Sequence, residues 1–221
     1  MKNVLIISSI IIFILLTLIF FPDTYEFSPY NLSAEGTSQL YNSFQISSSS
    51  NVTILLLFEN INNVTSYAKY LLQGNTIILS GNYTNVNYFL KEMNITVVIG
   101  DTIITNNLDY YMNNKIILYN ETNYTLVFPY ANPIIGGNPL ITINNFTLVA
   151  CYHYGSGKII IISTPYFFIN KYYGTFNNSW YLHKVASTNK VRIVVYSPDS
   201  PLVLIKQFFH DVLYLITIES L

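Results

Sequence analysis

Cys151 and His153 are the two side chains of this sequence that could form a nucleophile and base pair at close spacing. A thiol in contact with an imidazole can attack a carbonyl carbon. Residues two apart on a strand share a face, but their Cβ atoms are about 7 Å apart, which is too far for a direct hydrogen bond. We therefore predict no catalytic residue and expect Cys151 to be a small buried packing group. As the single cysteine, it has no partner for an intrachain disulfide.

Metal and phosphate chemistry have little support in the sequence. The three histidines, His153, His183 and His210, are scattered over separate segments, without the spacing that marks a zinc site. The glycines of the segment 155–157 are followed by a strand-like run rather than a helix, which predicts a hairpin turn and not a phosphate-binding loop. We predict no metal site and no cofactor.

Two other features are candidates for binding. Gly100 and Asp101 follow a predicted strand, and the crevice at the carboxyl ends of strands is where open α/β sheets bind ligands. Tyrosine-rich loops are a second candidate, because tyrosine combines an apolar ring with a polar hydroxyl and suits sugar or protein contacts. These loop tyrosines are Tyr110, Tyr111, Tyr124, Tyr130, Tyr172 and Tyr173.

The amino terminus carries an apolar run over residues 4–21. As a helix rising about 1.5 Å per residue, the run would match the hydrocarbon thickness of a bilayer. No small-residue cleavage site follows it, so we predict a retained transmembrane anchor over residues 1–22 and a linker over 23–32. Lys2 precedes the run and Asp23 follows it, which predicts a single-pass plasma-membrane protein with its amino terminus inside and its domain outside the cell.

Nine Asn-x-Ser/Thr sequons lie on the carboxyl-terminal side of the apolar run. Their one-sided distribution predicts a glycosylated extracytoplasmic domain. The sequon asparagines are Asn31, Asn51, Asn63, Asn82, Asn94, Asn120, Asn123, Asn145 and Asn177.

Composition limits the possible partners. Charged residues make up only 10% of the chain and the net charge is −1, so nucleic-acid binding lacks its electrostatic basis. The predicted partners are the lipid bilayer and other envelope or membrane proteins, contacted through the apolar helix or the tyrosine-rich loops.

The segment 33–221 alternates short apolar runs with helical periodicity, which predicts one α/β domain. Continuous apolar runs are typical of strands buried on both faces, and the alternation predicts β-α-β crossovers in a mostly parallel sheet. The predicted strands of this half cover residues 52–58, 76–79 and 95–99, and its helices cover 33–44, 62–73 and 86–93.

The sequence of the second half of the domain predicts an antiparallel region, because its strand-like runs are separated by Asn, Pro and Gly. A tight turn is expected at Asn144 and Asn145, and a hairpin over residues 152–163. The antiparallel strands are predicted at 115–119, 125–128, 140–143 and 146–152, followed by a helix at 178–186, a strand at 191–196 and a helix at 201–219.

Three stretches resemble a family of membrane-anchored archaeal surface proteins of unknown function. They are residues 28–41 (SPYNLSAEGTSQLY), 149–170 (VACYHYGSGKIIIISTPYFFIN) and 177–182 (NNSWYL), and the resemblance spans about residues 28–196. That family is similar to class I glutamine-amidotransferase-like, or GIFT, domains, so the resemblance implies a flavodoxin-like fold behind a membrane anchor.

The resemblance does not extend to an amidotransferase active site. Those enzymes carry a Gly-x-Cys-x-Gly nucleophile elbow, whereas Cys151 here lies between Ala150 and Tyr152. We expect a non-catalytic surface glycoprotein that binds or scaffolds at the envelope, a role that is compatible with being one subunit of a larger membrane assembly. The alternatives are a divergent amidotransferase-like hydrolase using Cys151 and His153, and a pilin-like filament subunit that assembles through its apolar helix.

Overall fold

A computed structural model of the chain describes residues 25–61 and 63–197. None of the helices in these ranges combines the length and apolar character needed to span a bilayer. The anchor predicted at 1–22 and the helix predicted at 201–219 lie outside the described residues.

The described residues form a mixed α/β fold around a sheet of nine strands, with a separate sheet of three strands. The strands are β1 (Gln45–Ile46), β2 (Val52–Leu57), β3 (Thr76–Gly81), β4 (Val98–Ile99), β5 (Tyr110–Tyr111), β6 (Asn113–Glu121), β7 (Tyr124–Pro129), β8 (Ile134–Ile135), β9 (Asn138–Ile143), β10 (Phe146–Tyr154), β11 (Gly157–Ile162) and β12 (Lys190–Tyr196). The helices are α1 (Ser38–Ser43), α2 (Val64–Leu72), α3 (Tyr83–Glu92), α4 (Asn170–Tyr173) and α5 (Asn178–Ala186), with a 3-10 helix at Pro165–Phe168.

The larger sheet is parallel on one side and antiparallel on the other. Its order is β1-β12-β2-β3-β11-β10-β8-β4, and β9 pairs with β10. Strands β1, β12, β2, β3 and β11 run parallel, whereas β10, β8, β9 and β4 are joined by antiparallel pairing. The prediction of a mostly parallel sheet with an antiparallel hairpin region is confirmed at this level.

Burial explains why the central strands read as continuous apolar runs. Every residue of β2 is buried. Alternate residues of β2 and β3 enter two cores, one containing Ile54, Leu56 and Ile78, the other Leu55, Leu57, Ile77 and Leu79. Helices α2 and α3 cover the second core, and α1, α5 and the smaller sheet cover the first.

Several predicted elements match closely. Helix α5 spans the predicted residues, and β10 and β11 form the predicted hairpin, with Cys151 opposite Ile160. Asn144 and Asn145 have φ of 49° and 68°, the left-handed pair that a two-residue hairpin turn requires.

The third predicted strand is wrong in its direction and its length. Only Val98–Ile99 is extended, and it pairs antiparallel with β8 at the far end of the sheet. The position next to β3 is taken by β11 instead. Ile95, Val97 and Ile99 are buried while the residues between them are exposed, so this segment has the alternation of a half-covered edge and not the all-buried pattern of β2.

The amino-terminal boundary also differs from the prediction. The first helix begins at Ser38, not at Ser33. Within the predicted linker, Phe27 is buried and stacks on Phe58 at 4.2 Å. The buried side chain of Asn170 donates to the carbonyl oxygens of Asn31 and Ser33, which fixes this segment to the domain.

Candidate functional site

A cleft of about 490 Å³ opens where the parallel strands end. Strands β2, β3 and β11 point the same way, so the residues that follow them meet at one edge of the sheet. The amino-terminal segment closes one side. The cleft is lined by Glu26, Phe27, Phe58, Gly81, Asn82, Tyr83, Asp101, Ile103, Tyr130, Asn132, Pro165 and Tyr166.

The floor of the cleft depends on a close approach of two strands. A Cβ at Gly81 would overlap the main-chain oxygen of Leu57, so no larger residue fits there without moving β2 or β3. The next residue, Asn82, caps α3, since its Oδ1 accepts from the Thr84 amide at 3.2 Å and the Thr84 hydroxyl at 3.0 Å. This strand-to-helix turn holds Asn82 and Tyr83 at the rim.

Aromatic rings form a continuous wall of the cleft. Phe58 stacks on Phe27, the Phe27 ring lies 5.5 Å from that of Tyr166, and the Tyr166 ring lies 5.4 Å from that of Tyr130. Phe27 is buried, whereas Tyr130 is 37% exposed. The wall therefore leads from the core to solvent and offers ring surface to a ligand.

The polar groups of the cleft are acidic or neutral. Glu26 and Asp101 are its two carboxylates, Asn82 and Asn132 its two amides, and no Lys or Arg is among the described lining residues. Burial raises the pKa of the Glu26 carboxyl, Glu35 raises it further, and a hydrogen bond from Tyr166 opposes the rise. Burial raises the pKa of the Tyr166 hydroxyl, and the charge and hydrogen bond of Glu26 raise it further.

The residues predicted to mark a ligand crevice lie at this edge. Asp101 lines the cleft and accepts a hydrogen bond from the Thr102 hydroxyl at 3.1 Å. Gly100 packs behind it, where a Cβ would approach the Pro133 ring at 2.9 Å. Gly100 thus allows close packing, and Asp101 is the member of the pair that a ligand could reach.

Cys151 and His153 do not line the cleft. Cys151 is buried in β10, and burial raises the pKa of its thiol while Lys158 opposes the rise. His153 is exposed further along the same strand, opposite Lys158. His183 stacks on Phe44 at 3.9 Å, and His210 lies outside the described residues. Over the described ranges, no three His, Cys, Asp or Glu side chains are placed to hold a metal ion.

All nine sequon asparagines lie in the described ranges, and eight are exposed. In four of them, the side-chain hydrogen bonds within the described residues use Oδ1 as acceptor. This leaves Nδ2, the atom that carries an N-linked glycan, without a described partner. These four are Asn63, Asn82, Asn120 and Asn177.

Asn31 is the exception among the nine sequon asparagines predicted to belong to a glycosylated domain. It is 1% exposed, and its Nδ2 donates to the Tyr25 carbonyl at 2.8 Å. Its Oδ1 accepts from the Ser33 amide at 2.8 Å. A glycan on Nδ2 would break this turn, so the folded domain disfavours modification of Asn31.

Five of the six tyrosines in the predicted loops fall into two groups, and the sixth, Tyr124, is half-buried with its ring 4.8 Å from that of Trp180. Tyr110, Tyr111 and Tyr130 are exposed, as a contact surface requires. Tyr172 and Tyr173 are buried in α4, and the Tyr173 hydroxyl bonds to the Ser43 hydroxyl at 2.6 Å. This second group belongs to the core and cannot contact a partner.

Sequence reasoning found Asp101 and Tyr130 but missed Glu26, Phe27 and Phe58 as members of one site. Phe58 could have been found, because it is the last residue of a strand predicted to be buried and parallel. Glu26 and Phe27 lie in the predicted linker, and no local pattern shows that this segment packs against the carboxyl edge of the sheet.

No protein-family model matches this sequence, and no curated protein matches it. Two solved structures align with the described fold at low identity. The N-terminal domain of mmIFT52 is 18% identical over 67% of this chain and 78% of its own, with a TM-score of 0.46. The exo-beta-1,4-mannosidase Op5Man5 from Opitutaceae bacterium strain TAV5 is 16% identical over 64% of this chain and 25% of its own, with a TM-score of 0.39.

Proposed function

We propose that this protein is a non-catalytic, membrane-anchored cell-surface glycoprotein whose extracytoplasmic domain binds a ligand at the envelope. The observation that carries the proposal is the exposure of the sequon asparagines. Eight of the nine asparagines, all within the described ranges, are exposed on a single folded domain. Such a surface can carry glycans without disturbing the core, and glycans would supply the solubility that so few charged residues provide.

The anchor and the ancestry belong to the same proposal. The apolar run at residues 4–21 would hold the domain at the outer face of the plasma membrane. A flavodoxin-like, amidotransferase-like ancestry is consistent with the observed mixed α/β sheet, and the lost nucleophile elbow around Cys151 suits a domain that binds rather than reacts.

We assign the binding role to the cleft at the carboxyl edge of the sheet. Its rings offer flat apolar surfaces at Tyr83 and Tyr130, and its carboxylates and amides can accept or donate hydrogen bonds to hydroxyl groups. Because the described lining of the cleft holds two carboxyl groups and no cationic side chain, it is poorly suited to an anionic ligand. A neutral carbohydrate matches this combination.

Mass-spectrometric glycopeptide mapping of the protein from its native membrane tests the surface assignment. We expect glycan on several of the eight exposed asparagines, and digestion of the domain by protease added to intact cells. If none of the nine asparagines is modified and the domain is protected in intact cells, the proposed topology is wrong.

Binding of neutral oligosaccharides to the full-length protein in detergent tests the cleft. Tyr130→Ala removes an exposed ring of the wall and should weaken binding at least about tenfold, since stacked aromatic contacts contribute on the order of 1 kcal/mol or more. Tyr110→Ala removes an exposed ring outside the cleft and is the control. Equal binding by the two variants would exclude the cleft.

A further inference from the structure

A second cavity, of about 510 Å³, lies between helix α2 and strand β12 and shares no lining residue with the cleft. Its charge is opposite to that of the cleft, because the charged side chains that line it are cationic. The lining residues are Asn63, Ser66, Tyr67, Lys69, Tyr70, Gln73, Arg192 and Tyr196.

Arg192 is half-buried and held in place by neutral groups. Its guanidinium carbon lies 5.9 Å from the ring centre of Tyr67 and 5.4 Å from that of Tyr70. Its Nε donates to the buried Thr53 hydroxyl at 3.2 Å. One of the five N–H groups of the guanidinium is thereby satisfied, and the terminal nitrogens have no acceptor among the described residues.

No carboxylate balances this charge in the described part of the chain. Neither Asp nor Glu is among the lining residues, and Lys69 adds a second positive charge from helix α2. A half-buried cation without a counter-ion costs free energy, and an anion that entered the cavity would recover it. Burial raises the pKa of Tyr67 and of Tyr70, while the charge of Arg192 opposes both rises, so its field reaches both hydroxyls.

Neutral donors complete the lining. The hydroxyls of Tyr67 and Tyr196 lie 3.3 Å apart, so one of them donates to the other. The second hydroxyl hydrogen is then free to donate elsewhere. A planar guanidinium, an ammonium and a hydroxyl together form a donor set typical of sites that bind tetrahedral or planar oxyanions.

We propose that the cavity between α2 and β12 is an oxyanion-binding site, in which Arg192 makes the principal contact with a phosphate, sulfate or carboxylate group and Lys69 adds charge. This site is independent of the proposed carbohydrate cleft. Its ligand can be a soluble oxyanion or the headgroup of an anionic lipid, since both present the same chemistry.

The test uses the full-length protein in neutral detergent and inorganic phosphate as the probe. Calorimetric titration at constant ionic strength, with chloride as the exchanged anion, should give saturable binding. Arg192→Gln should weaken it at least about tenfold, and Arg192→Lys should weaken it less, because the charge remains but the bidentate geometry is lost. Lys91→Gln, an exposed lysine outside the cavity, is the control and should bind as the wild type does.

Loss of the contacts between Arg192 and the two tyrosine rings could unfold the Arg192 variants. The thermal unfolding of each variant is therefore compared with that of the wild type in the absence of phosphate. A folded Arg192→Lys protein with reduced affinity supports the site. Undetectable binding by the wild type, or equal affinity in the wild type and both Arg192 variants, would overturn it. Asp199 is the carboxylate nearest to Arg192 in the sequence and lies outside the described residues. Phosphate binding that appears only in Asp199→Asn would also overturn the proposal, because Arg192 would then be paired within the chain.

Vesicles distinguish the two sources of the oxyanion. Protein that binds phosphatidylglycerol vesicles, but not phosphatidylcholine vesicles, through Arg192 uses a lipid headgroup. Protein that binds inorganic phosphate and shows no Arg192-dependent preference between the vesicles uses a soluble oxyanion. Either result supports the site, and the glycopeptide mapping described above remains a separate test of the proposed function.

Discussion

The side chain of Asn178 pairs with the main chain of Val127 as a neighbouring strand would. Its Oδ1 accepts from the Val127 amide at 2.9 Å and its Nδ2 donates to the Val127 carbonyl at 3.0 Å. The Nδ2 also donates to the Phe167 carbonyl at 3.2 Å. Asn178 thereby joins the first turn of α5 to β7 and to the 3-10 helix whose residues Pro165 and Tyr166 line the cleft.

Asn178→Ala should be among the most destabilising polar substitutions in this domain. The side chain is fully buried, and its loss would leave the Val127 amide and carbonyl without partners in the core. We expect a loss of about 3 kcal/mol in the free energy of unfolding. Urea denaturation measures it, with Asn42→Ala on the exposed side of α1 as a control that should change stability little. Equal effects of the two would mean that the Val127 contacts are not energetically important.

Cys151→Ala should behave as a small cavity mutation. The thiol packs against the first core opposite Ile160, and burial raises its pKa, so it is a poor nucleophile at neutral pH. We expect a loss of about 1 kcal/mol of stability and unchanged ligand binding.

Thiol labelling checks the same point directly. Cys151 should react slowly in the folded protein and rapidly in urea. Fast labelling of the folded protein, or loss of an activity in Cys151→Ala at unchanged stability, would instead favour the hydrolase alternative.

The pH dependence of stability should report the Glu26 carboxyl. Its pKa is raised in the folded chain, chiefly by burial and then by Glu35, so the folded state binds this proton more tightly than the unfolded state. The free energy of unfolding should therefore fall as pH rises from the ordinary glutamate pKa through the folded value. Glu26→Gln should remove this part of the dependence, and Glu92→Gln on the exposed end of α3 should not.

Thermal unfolding between pH 4 and pH 7 measures this change in stability in the wild type, Glu26→Gln and Glu92→Gln. Tyr166→Phe gives a further check. It removes the hydrogen bond that opposes the rise, so the pKa of Glu26 should increase in that variant when followed by NMR. A Glu26 pKa that stays constant or falls in Tyr166→Phe would show that the hydroxyl does not stabilise the carboxylate.

Local patterns predicted much of the fold because they record burial directly. The all-buried strand β2, the turn at Asn144 and Asn145, and the helix α5 each follow from residues close in sequence. The order of the strands in the sheet does not follow from such local patterns. Both Ile95–Ile99 and the run Ile159–Ile162 are apolar, and only tertiary pairing decides that β11 and not β4 lies beside β3.

The residues of the candidate site could likewise be predicted only where a local sequence pattern identifies them. The rule that ligands bind at the carboxyl ends of parallel strands pointed to Asp101, although the strand that precedes it, β4, is antiparallel to its neighbour in the structure. Glu26 and Phe27 belong to the site through contacts with Tyr166 and Phe58, which are distant in sequence. Tyr172 and Tyr173 show the converse limit, because the abundance of tyrosine in this chain conceals which rings are buried.

Glycan occupancy should separate Asn31 from the other sequons. We expect Asn31 to be unmodified in the mature protein, because its Nδ2 is buried and donates to Tyr25, whereas Asn82 leaves Nδ2 without a described partner and should carry glycan. Asn31→Gln should also lower stability by about 2 kcal/mol, since both hydrogen bonds of its side chain would be lost or distorted. Asn51→Gln alters an exposed sequon and should leave stability close to that of the wild type. Glycopeptide mapping and urea denaturation together check both parts, and a modified Asn31 in the folded, membrane-derived protein would contradict the packing of the amino-terminal segment against the domain.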